Sequence, residues 1–205
     1  MTYGVIYADP PWKFKVYSNK GLGRSAEAWY DCLDLDEIKS LPVESWAGEN
    51  CVLLMWVTDP FLKLGFDVID AWGFTYKTIG FYWAKTTTGC GSIRIDNNEN
   101  WPIGTGYWTR ANPEQCLLAT RGSPKRLNAD VRKLIISPRR EHSRKPDEIY
   151  DYIERLCTGP YLELFARNPH PGWDSWGNEV STGPGERRWK STMGPKTLEK
   201  PFSIL

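Results

Sequence analysis

Four consecutive residues, Asp9, Pro10, Pro11 and Trp12, place a carboxylate, a stiff backbone and a large flat ring directly after the apolar residues 5–8. That apolar run reads as a short buried strand. Each proline lacks an N–H and has a fixed φ, so the chain must leave the sheet at Asp9 in a preset shape. In open α/β sheets, the carboxyl ends of the strands are where ligands bind. These groups suit chemistry at an amino group on an aromatic base. Such a nitrogen is a poor nucleophile, because its lone pair is delocalised into the ring. The Asp9 carboxylate and the Pro10 carbonyl can both accept its N–H hydrogens and so orient it while a new bond forms. Trp12 offers a face on which a base can stack, worth roughly 1–3 kcal/mol. The same four residues also fit a proline-stiffened turn with a tryptophan in the core, so the rest of the chain has to choose.

Two cations stand where they could hold an anionic group. Lys145 precedes Pro146, Asp147 and Glu148, which signal a helix start, and Arg167 follows the apolar residues 161–166, which read as a strand. The alternatives are an ordinary surface lysine and a salt bridge from Arg167 to a neighbouring acid, for which Glu163 is available. Tyr107 and Trp108 lie in residues 86–112, a glycine-bearing stretch without periodicity. A loop of that length inside a compact domain is usually functional or disordered. Residues 122–145 are basic throughout, a pattern that fits either phosphate contact or a solvated face.

Composition narrows the field. The 205 residues suit one domain with a sheet covered by helices on both faces. A net charge of +1 does not by itself announce a nucleic-acid binder. Residues 1–12 run straight into the first strand without a leader pattern, and no apolar run approaches the ~20 residues that cross a bilayer. Five scattered cysteines without a Cys-x-x-Cys pair read as reduced packing residues, so a cytoplasmic location away from membranes is expected. With two histidines and no Cys/His cluster, no metal site is expected. The Gly-x-Gly-x-x-Gly fingerprint after a strand, the Walker phosphate loop and a recognisable Ser or Cys nucleophile with His are all missing. Hydride transfer, nucleotide hydrolysis and acyl transfer lose ground accordingly.

The elements that must position these groups can be read in order. A short helix is expected over 34–41, a buried strand over 51–57, and a helix from Thr58 or Asp59 to about Trp72, ending near Gly73. A strand follows over 74–85 with a break near Gly80, then a strand over 114–120, a helix from Pro146 to Gly159 and a last strand over 161–166. Residues 13–31 read as a surface loop, and residues from 182 onward as a flexible basic tail after a domain spanning 1–181. Strands separated by helices imply an α/β fold with a mostly parallel sheet.

Six motifs, in this order, resemble the MTA-seventy family of adenine-N6 methyltransferases. They are Asp9-Pro10-Pro11-Trp12; Leu54-Met55-Trp56-Val57-Thr58; Gly104-x-Gly106-Tyr107-Trp108; Glu141-His142-Ser143-x-Lys145-Pro146; Glu163-Leu164-Phe165-Ala166-Arg167; and Gly172-Trp173 with Trp176-Gly177-Asn178. The family includes phage and bacterial DNA methylases and the eukaryotic mRNA-methylating enzyme. The resemblance implies a Rossmann-like methyltransferase fold, with the catalytic motif N-terminal and much of the S-adenosylmethionine site C-terminal. It implies catalysis at Asp9, Pro10, Pro11 and Trp12, and cofactor binding by Asp9, Lys145, Arg167, Asn168, His170, Asn178 and Glu179. Substrate contacts are expected at Trp12, Tyr107, Trp108 and Glu114; for Glu114 the alternative is an exposed carboxylate at a strand end. Glu179 departs from the family's usual glutamine. With Met1 only two residues before Tyr3, the upstream cofactor contacts of the eukaryotic enzyme are expected to be absent or supplied elsewhere.

The expected activity is therefore S-adenosylmethionine-dependent methylation of adenine N6 in nucleic acid, with DNA favoured over RNA because the compact architecture resembles the phage and bacterial members. A non-catalytic nucleic-acid-binding subunit on the same fold and an N4-cytosine methyltransferase are the rivals. Because no separate recognition module is visible, a homodimer or a partner subunit is the expected means of reading a site.

Overall fold

In the computed structural model β1 (Tyr3–Ala8) lies in the interior of the sheet, with Val5, Ile6, Tyr7 and Ala8 all fully or almost fully buried. Burial on both faces explains why its sequence is continuously apolar rather than alternating. The structure describes residues 2–13, 33–87, 100–104, 106–140 and 144–177. Among these the sheet has seven strands, in the order β5-β3-β4-β2-β1-β6-β7. The others are β2 (Ala47–Val57), β3 (Thr75–Thr86), β4 (Glu114–Arg121), β5 (Leu134–Pro138), β6 (Tyr161–Leu164) and β7 (Trp173–Trp176). β1 pairs in parallel with β2 and β6, and β3 with β5 and β6 with β7 are also parallel; β4 alone runs antiparallel to its neighbours β2 and β3. The α/β, Rossmann-like reading holds.

Period-2 alternation divides the core into two layers. Ile6, Ala8, Leu53 and Met55 face α1 (Leu35–Lys39) and α3 (Leu62–Ala71), packing with Ile38, Val68, Ile69 and Trp72. Val5, Tyr7, Leu54, Trp56, Phe81 and Trp83 pack on the other face with Ile149 and Ile153 of α4 (Glu148–Leu156). Helices thus cover both faces.

Local chemistry sets the ends. Asp34 caps α1 by accepting from the Glu37 N–H at 2.8 Å, while Glu37 accepts from the Asp34 N–H at 2.9 Å, a reciprocal capping box. The helix expected over 34–41 stops at Lys39, and a short α2 (Val43–Trp46) follows Pro42. Thr58 and Asp59 make no side-chain cap; a 3-10 turn over Asp59–Phe61 leads into α3 instead. α3 ends where Phe74 N–H reaches the Ile69 carbonyl and Gly73 N–H reaches Asp70, which requires Gly73 at φ 76°. The break expected near Gly80 is an irregularity of register between Ile79 and Phe81, and β3 continues through it. A Cβ at Gly80 would stand 2.8 Å from Leu54.

β5 corrects the sequence reading of residues 122–145 as one basic stretch. Ile135 and Ser137 point inward while Leu134 and Ile136 stay exposed, so a strand of only five residues lies hidden among arginines and lysines. It runs parallel to the last five residues of β3, Tyr82 to Thr86, at about 3.3 Å per residue. Arg132 and Lys133 lie before it, beside the middle of β3, where the Lys133 carbonyl accepts from the Tyr82 N–H at 2.9 Å and its Nζ donates to Thr78 at 3.2 Å. Arg139, whose N–H reaches the Thr86 carbonyl, and Arg140 lie after it, at the edge that carries Asp9. A partly buried strand thus interrupts the basic run. Cys51, Cys116 and Cys157 are buried thiols. Among the described residues no helix is long and apolar enough to cross a membrane.

Candidate active site

Asp9 leaves the sheet at the carboxyl end of β1, beside the carboxyl ends of β2 and β6. The prolines shape the exit: Trp12 N–H turns back to the Pro10 carbonyl at 2.9 Å, and Leu33 N–H reaches the Pro11 carbonyl at 3.0 Å. Pro10 is buried and its carbonyl already accepts one hydrogen bond. Trp12 is not the open stacking platform expected from the sequence. It is 7% exposed, its ring lies against Phe61 at 5.6 Å and 13°, and its Nε1 donates to the Trp56 carbonyl at 3.3 Å. The hydrophobic demand of the layer between β1 and α3 draws the indole inward, which is the core alternative weighed for this residue.

Strand direction brings the charged groups together. Because β4 runs backward, its first residue, Glu114, sits at the same edge of the sheet as Asp9. Lys145, just ahead of α4, reaches both: its Nζ lies 2.9 Å from Asp9 Oδ2 and 3.2 Å from Glu114 Oε2. The other Glu114 oxygen pairs with Lys85. Glu114 is therefore an interior, doubly paired carboxylate, its side chain 15% exposed, and not the exposed strand-end acid of the alternative reading. Burial alone would raise its pKa, but Lys145 and Lys85 overcome that and hold it down at about 2. For Asp9 burial wins and the pKa is raised, with Lys145 and Arg167 pulling against it and Glu114 adding to it. Lys145 resists desolvation because two carboxylates face it, and its pKa is raised. Its ammonium also lies 5.6 Å from the centre of the Trp56 ring, whose Nε1 donates to Tyr7 Oη at 2.7 Å. Trp56 belongs to a motif visible in the sequence, but its support of Lys145 is a product of the fold.

Beside this cluster a cleft, open at its mouth, runs between α4 and the end of β6. Tyr7, Asp9, Lys145, Tyr150, Glu163, Arg167, Asn168 and His170 line it, so the structure brings the predicted Asp9, Lys145, Arg167, Asn168 and His170 to one place. Phe165 turns the chain there with φ 64°, a costly conformation for an aromatic residue, and Ala166 N–H is held by the Trp176 carbonyl at 3.1 Å. Gly177 allows that approach, since a Cβ would stand 2.1 Å from the Ala166 carbonyl oxygen. His170 stacks on Tyr150 with centroids 3.8 Å apart at 6°, and Trp173 Nε1 donates to Glu154 at 2.8 Å. Glu163, 8% exposed, accepts from Tyr150 Oη at 2.9 Å. Burial raises its pKa to about 7, against the pull of that hydrogen bond. Sequence reasoning missed Tyr150, which sits in a helix with no motif of its own. Asn178 and Glu179 lie outside the described residues, as do Glu141, His142 and Ser143.

Tyr107 and Trp108 are 89% and 93% exposed, on a loop whose base is tied to the site. Asn112 accepts from the Lys85 N–H at 3.0 Å and donates to the Lys85 and Pro102 carbonyls, both at 2.9 Å. Gly106 has no room for a side chain, and Trp108 takes φ 69°. Two large rings are thus held in solvent by an anchored loop rather than folded into the core.

This arrangement matches a known sequence family. The profile of MT-A70, the MTA-seventy family, matches residues 3–179, from β1 to beyond β7. The chain belongs to the MT-A70 family. Among its relatives, the type II methyltransferase M.MunI of a Mycoplasma species is 34% identical over 87% of this chain and 78% of its own length. A putative N(6)-adenosine-methyltransferase MT-A70-like protein of Medicago truncatula is 36% identical over 87% of this chain and 26% of its own length. The human N(6)-adenosine-methyltransferase catalytic subunit METTL3 is 31% identical over 87% of this chain and 28% of its own length. The chain spans about a quarter of the length of these two eukaryotic MT-A70 relatives.

Proposed function

We propose that this MT-A70 chain transfers the methyl group of S-adenosylmethionine to the exocyclic N6 amino group of adenine in nucleic acid, with DNA favoured over RNA. The observation that carries the proposal is the Asp9 carboxylate, delivered by Asp-Pro-Pro-Trp to the end of β1 and held 2.9 Å from Lys145 at the mouth of the cleft. The lean toward DNA draws support from the similarity to the type II methyltransferase M.MunI, 34% identical over 87% of this chain.

The cleft's donor set fits a cofactor that is at once an amino acid and a nucleoside. Lys145 and Arg167 supply positive charge for a carboxylate, Asp9 an acceptor for an ammonium, and Glu163, Asn168 and His170 polar edges for ribose and base; Asn178 and Glu179 are the further candidates by family motif. S-adenosylmethionine supplies an electrophilic methyl group when bound. On the substrate side, the base is flipped or already unpaired, at a cost of a few kcal/mol in a duplex. Asp9 and the second lone pair of the Pro10 carbonyl accept the N6 hydrogens. The new N–C bond would form as the cofactor's S–CH3 bond breaks, leaving a neutral thioether, and the proton lost by the amino nitrogen would pass to solvent. The catalytic gain is mainly orientation of two bound reactants. Trp12, packed on Phe61, is a rigid wall behind Asp9, while Tyr107 and Trp108 take the role of the stacking surface for the polymer.

The test is methyl transfer from labelled S-adenosylmethionine to matched single- and double-stranded DNA and RNA, with nucleoside analysis of the product, for the native chain and Asp9→Ala. N6-methyl-deoxyadenosine from the native chain and a loss of about a thousandfold or more in Asp9→Ala are expected. Labelled N4-methylcytosine would replace adenine as the target. An active Asp9→Ala variant would end the assignment of Asp9, and absence of both transfer and cofactor binding would favour the non-catalytic subunit.

A further inference from the structure

A chain of four charges runs from the cleft into the sheet and alternates in sign: Asp9 and Lys145, which line the cleft, then Glu114 and Lys85. Lys145 is shared between two carboxylates, and Lys85 occupies the Glu114 oxygen that Lys145 does not touch. We propose that Lys85 is a positioning residue, which neutralises Glu114 from the far side so that the charge of Lys145 serves Asp9. With Lys85 in place there are two cations for two anions. Without it, Asp9 and Glu114 compete for Lys145, with Arg167 the other cation facing Asp9, in an interior where charge pairs interact more strongly than in water.

Lys85 is built in more firmly than a surface ion pair. Its backbone N–H and carbonyl are both clamped by the Asn112 side chain, and its residue pairs with Ser137 of β5 in the sheet register. Its ammonium stands 5.0 Å from the centre of the buried Trp83 ring. The same Asn112 ties down the loop that carries Tyr107 and Trp108, so the residue that balances Glu114 also anchors the proposed polymer-binding loop.

The inference rests on Asp9 as the group that meets the reacting amino group. The titratable and charged groups facing Asp9 are Lys145 ahead of α4, Glu114 and Cys116 of β4, Arg167 beyond β6, Glu163 of β6 and Tyr7 of β1. Of these, Glu114 has its charge compensated by Lys85. Removing that compensation exposes Asp9 to an uncancelled neighbouring anion and weakens its hold on Lys145, so Asp9 binds a proton more readily.

The experiment is an NMR pH titration of the Asp9 carboxyl carbon, assigned by comparison with Asp9→Asn, in the full chain. It compares the native protein with Lys85→Met, Lys85→Gln, Lys85→Arg and the double variant Lys85→Met/Glu114→Gln. The Asp9 midpoint should rise in Lys85→Met and Lys85→Gln, stay native in Lys85→Arg, and return toward native in the double variant, where the competing anion is gone. In parallel, the ratio of methyl transfer at pH 6 to that at pH 8 should fall about threefold in Lys85→Met. An unmoved midpoint in a folded Lys85→Met or Lys85→Gln, or a shift that persists in the double variant, overturns the proposal. Midpoints that move as expected in a chain that methylates no nucleic acid would uphold Lys85 and remove the proposed function instead.

Discussion

Glu163 lines the cleft at β6, while Glu114, at β4, reaches it only through Lys145, and both are shielded from solvent. Their acidities diverge: Glu114 is held at about 2 and Glu163 is raised to about 7. Burial pushes both upward, so burial cannot be the difference. Glu114 meets two ammonium groups, whereas Glu163 meets the neutral hydroxyl of Tyr150 and the negative field of Asp9. The β4 side is therefore permanently charged at neutral pH, and the β6 side is poised to change its charge there. A reacting centre that needs Asp9 ionised gains from a fixed counter-ion frame on one side. The side assigned to ribose and base can tolerate a carboxyl that titrates.

The strongest way to break this contrast is to remove the cation the β4 side depends on. Lys145→Met leaves Asp9 and Glu114 facing each other with Lys85 alone, and truncating one partner of a buried pair costs about 3–5 kcal/mol. Chemical denaturation at pH 7 should show a loss of that size, and a change under 1 kcal/mol would mean the cluster is effectively solvated. The β6 side should respond in the opposite sense. The folded pKa of Glu163 lies above its unfolded value, so its contribution is full below about pH 4.5 and is lost as pH rises through about 7. Glu163→Gln should accordingly be near neutral at pH 4.5 and stabilising above pH 7, by roughly 3 kcal/mol at most. Melting curves across pH 4.5–8.5 read this directly, and a variant that is destabilised at pH 8 would show that the carboxylate is needed there.

The smallest expected effect tests the division of the basic run. Arg139→Glu, just after β5, should weaken nucleic-acid binding by about 1 kcal/mol and flatten its dependence on salt; Lys133→Glu, before β5, where Nζ already donates to Thr78, should do less. Equal losses from the two substitutions would show that the polymer contacts both ends of β5. Arg140 and Arg144 are poorer probes, since both already pair with Asp147, at 3.0 and 2.8 Å.

Much of this site was legible before the fold was known. The apolar β1 followed by two prolines required a carboxylate at a strand's end, and Pro146 with its acids marked the start of α4. Residues 161–166 read correctly as a strand leading to Arg167, although β6 ends at Leu164, where Phe165 turns the chain. What stayed hidden has a common cause. β5 is five residues long and half exposed, too short for its alternation to stand out among basic neighbours. Trp12 offers the same indole to a ligand or to Phe61, and only the partner across the layer decides which.

The sequence by itself determined the local geometry: where strands and helices begin, how Asp9 leaves the sheet, and which motifs tie the chain to MT-A70. Those properties follow from backbone restriction and short-range periodicity, which neighbours in sequence control. Only the tertiary structure decided that Asp9, Lys85, Glu114 and Lys145 form one alternating cluster. That outcome depends on β4 running antiparallel between β2 and β3, which carries Glu114 to the edge where β1 and β3 end. Strand direction within a sheet is set by contacts far apart in the chain, and the acidity of a buried carboxylate by the charges those contacts bring to it.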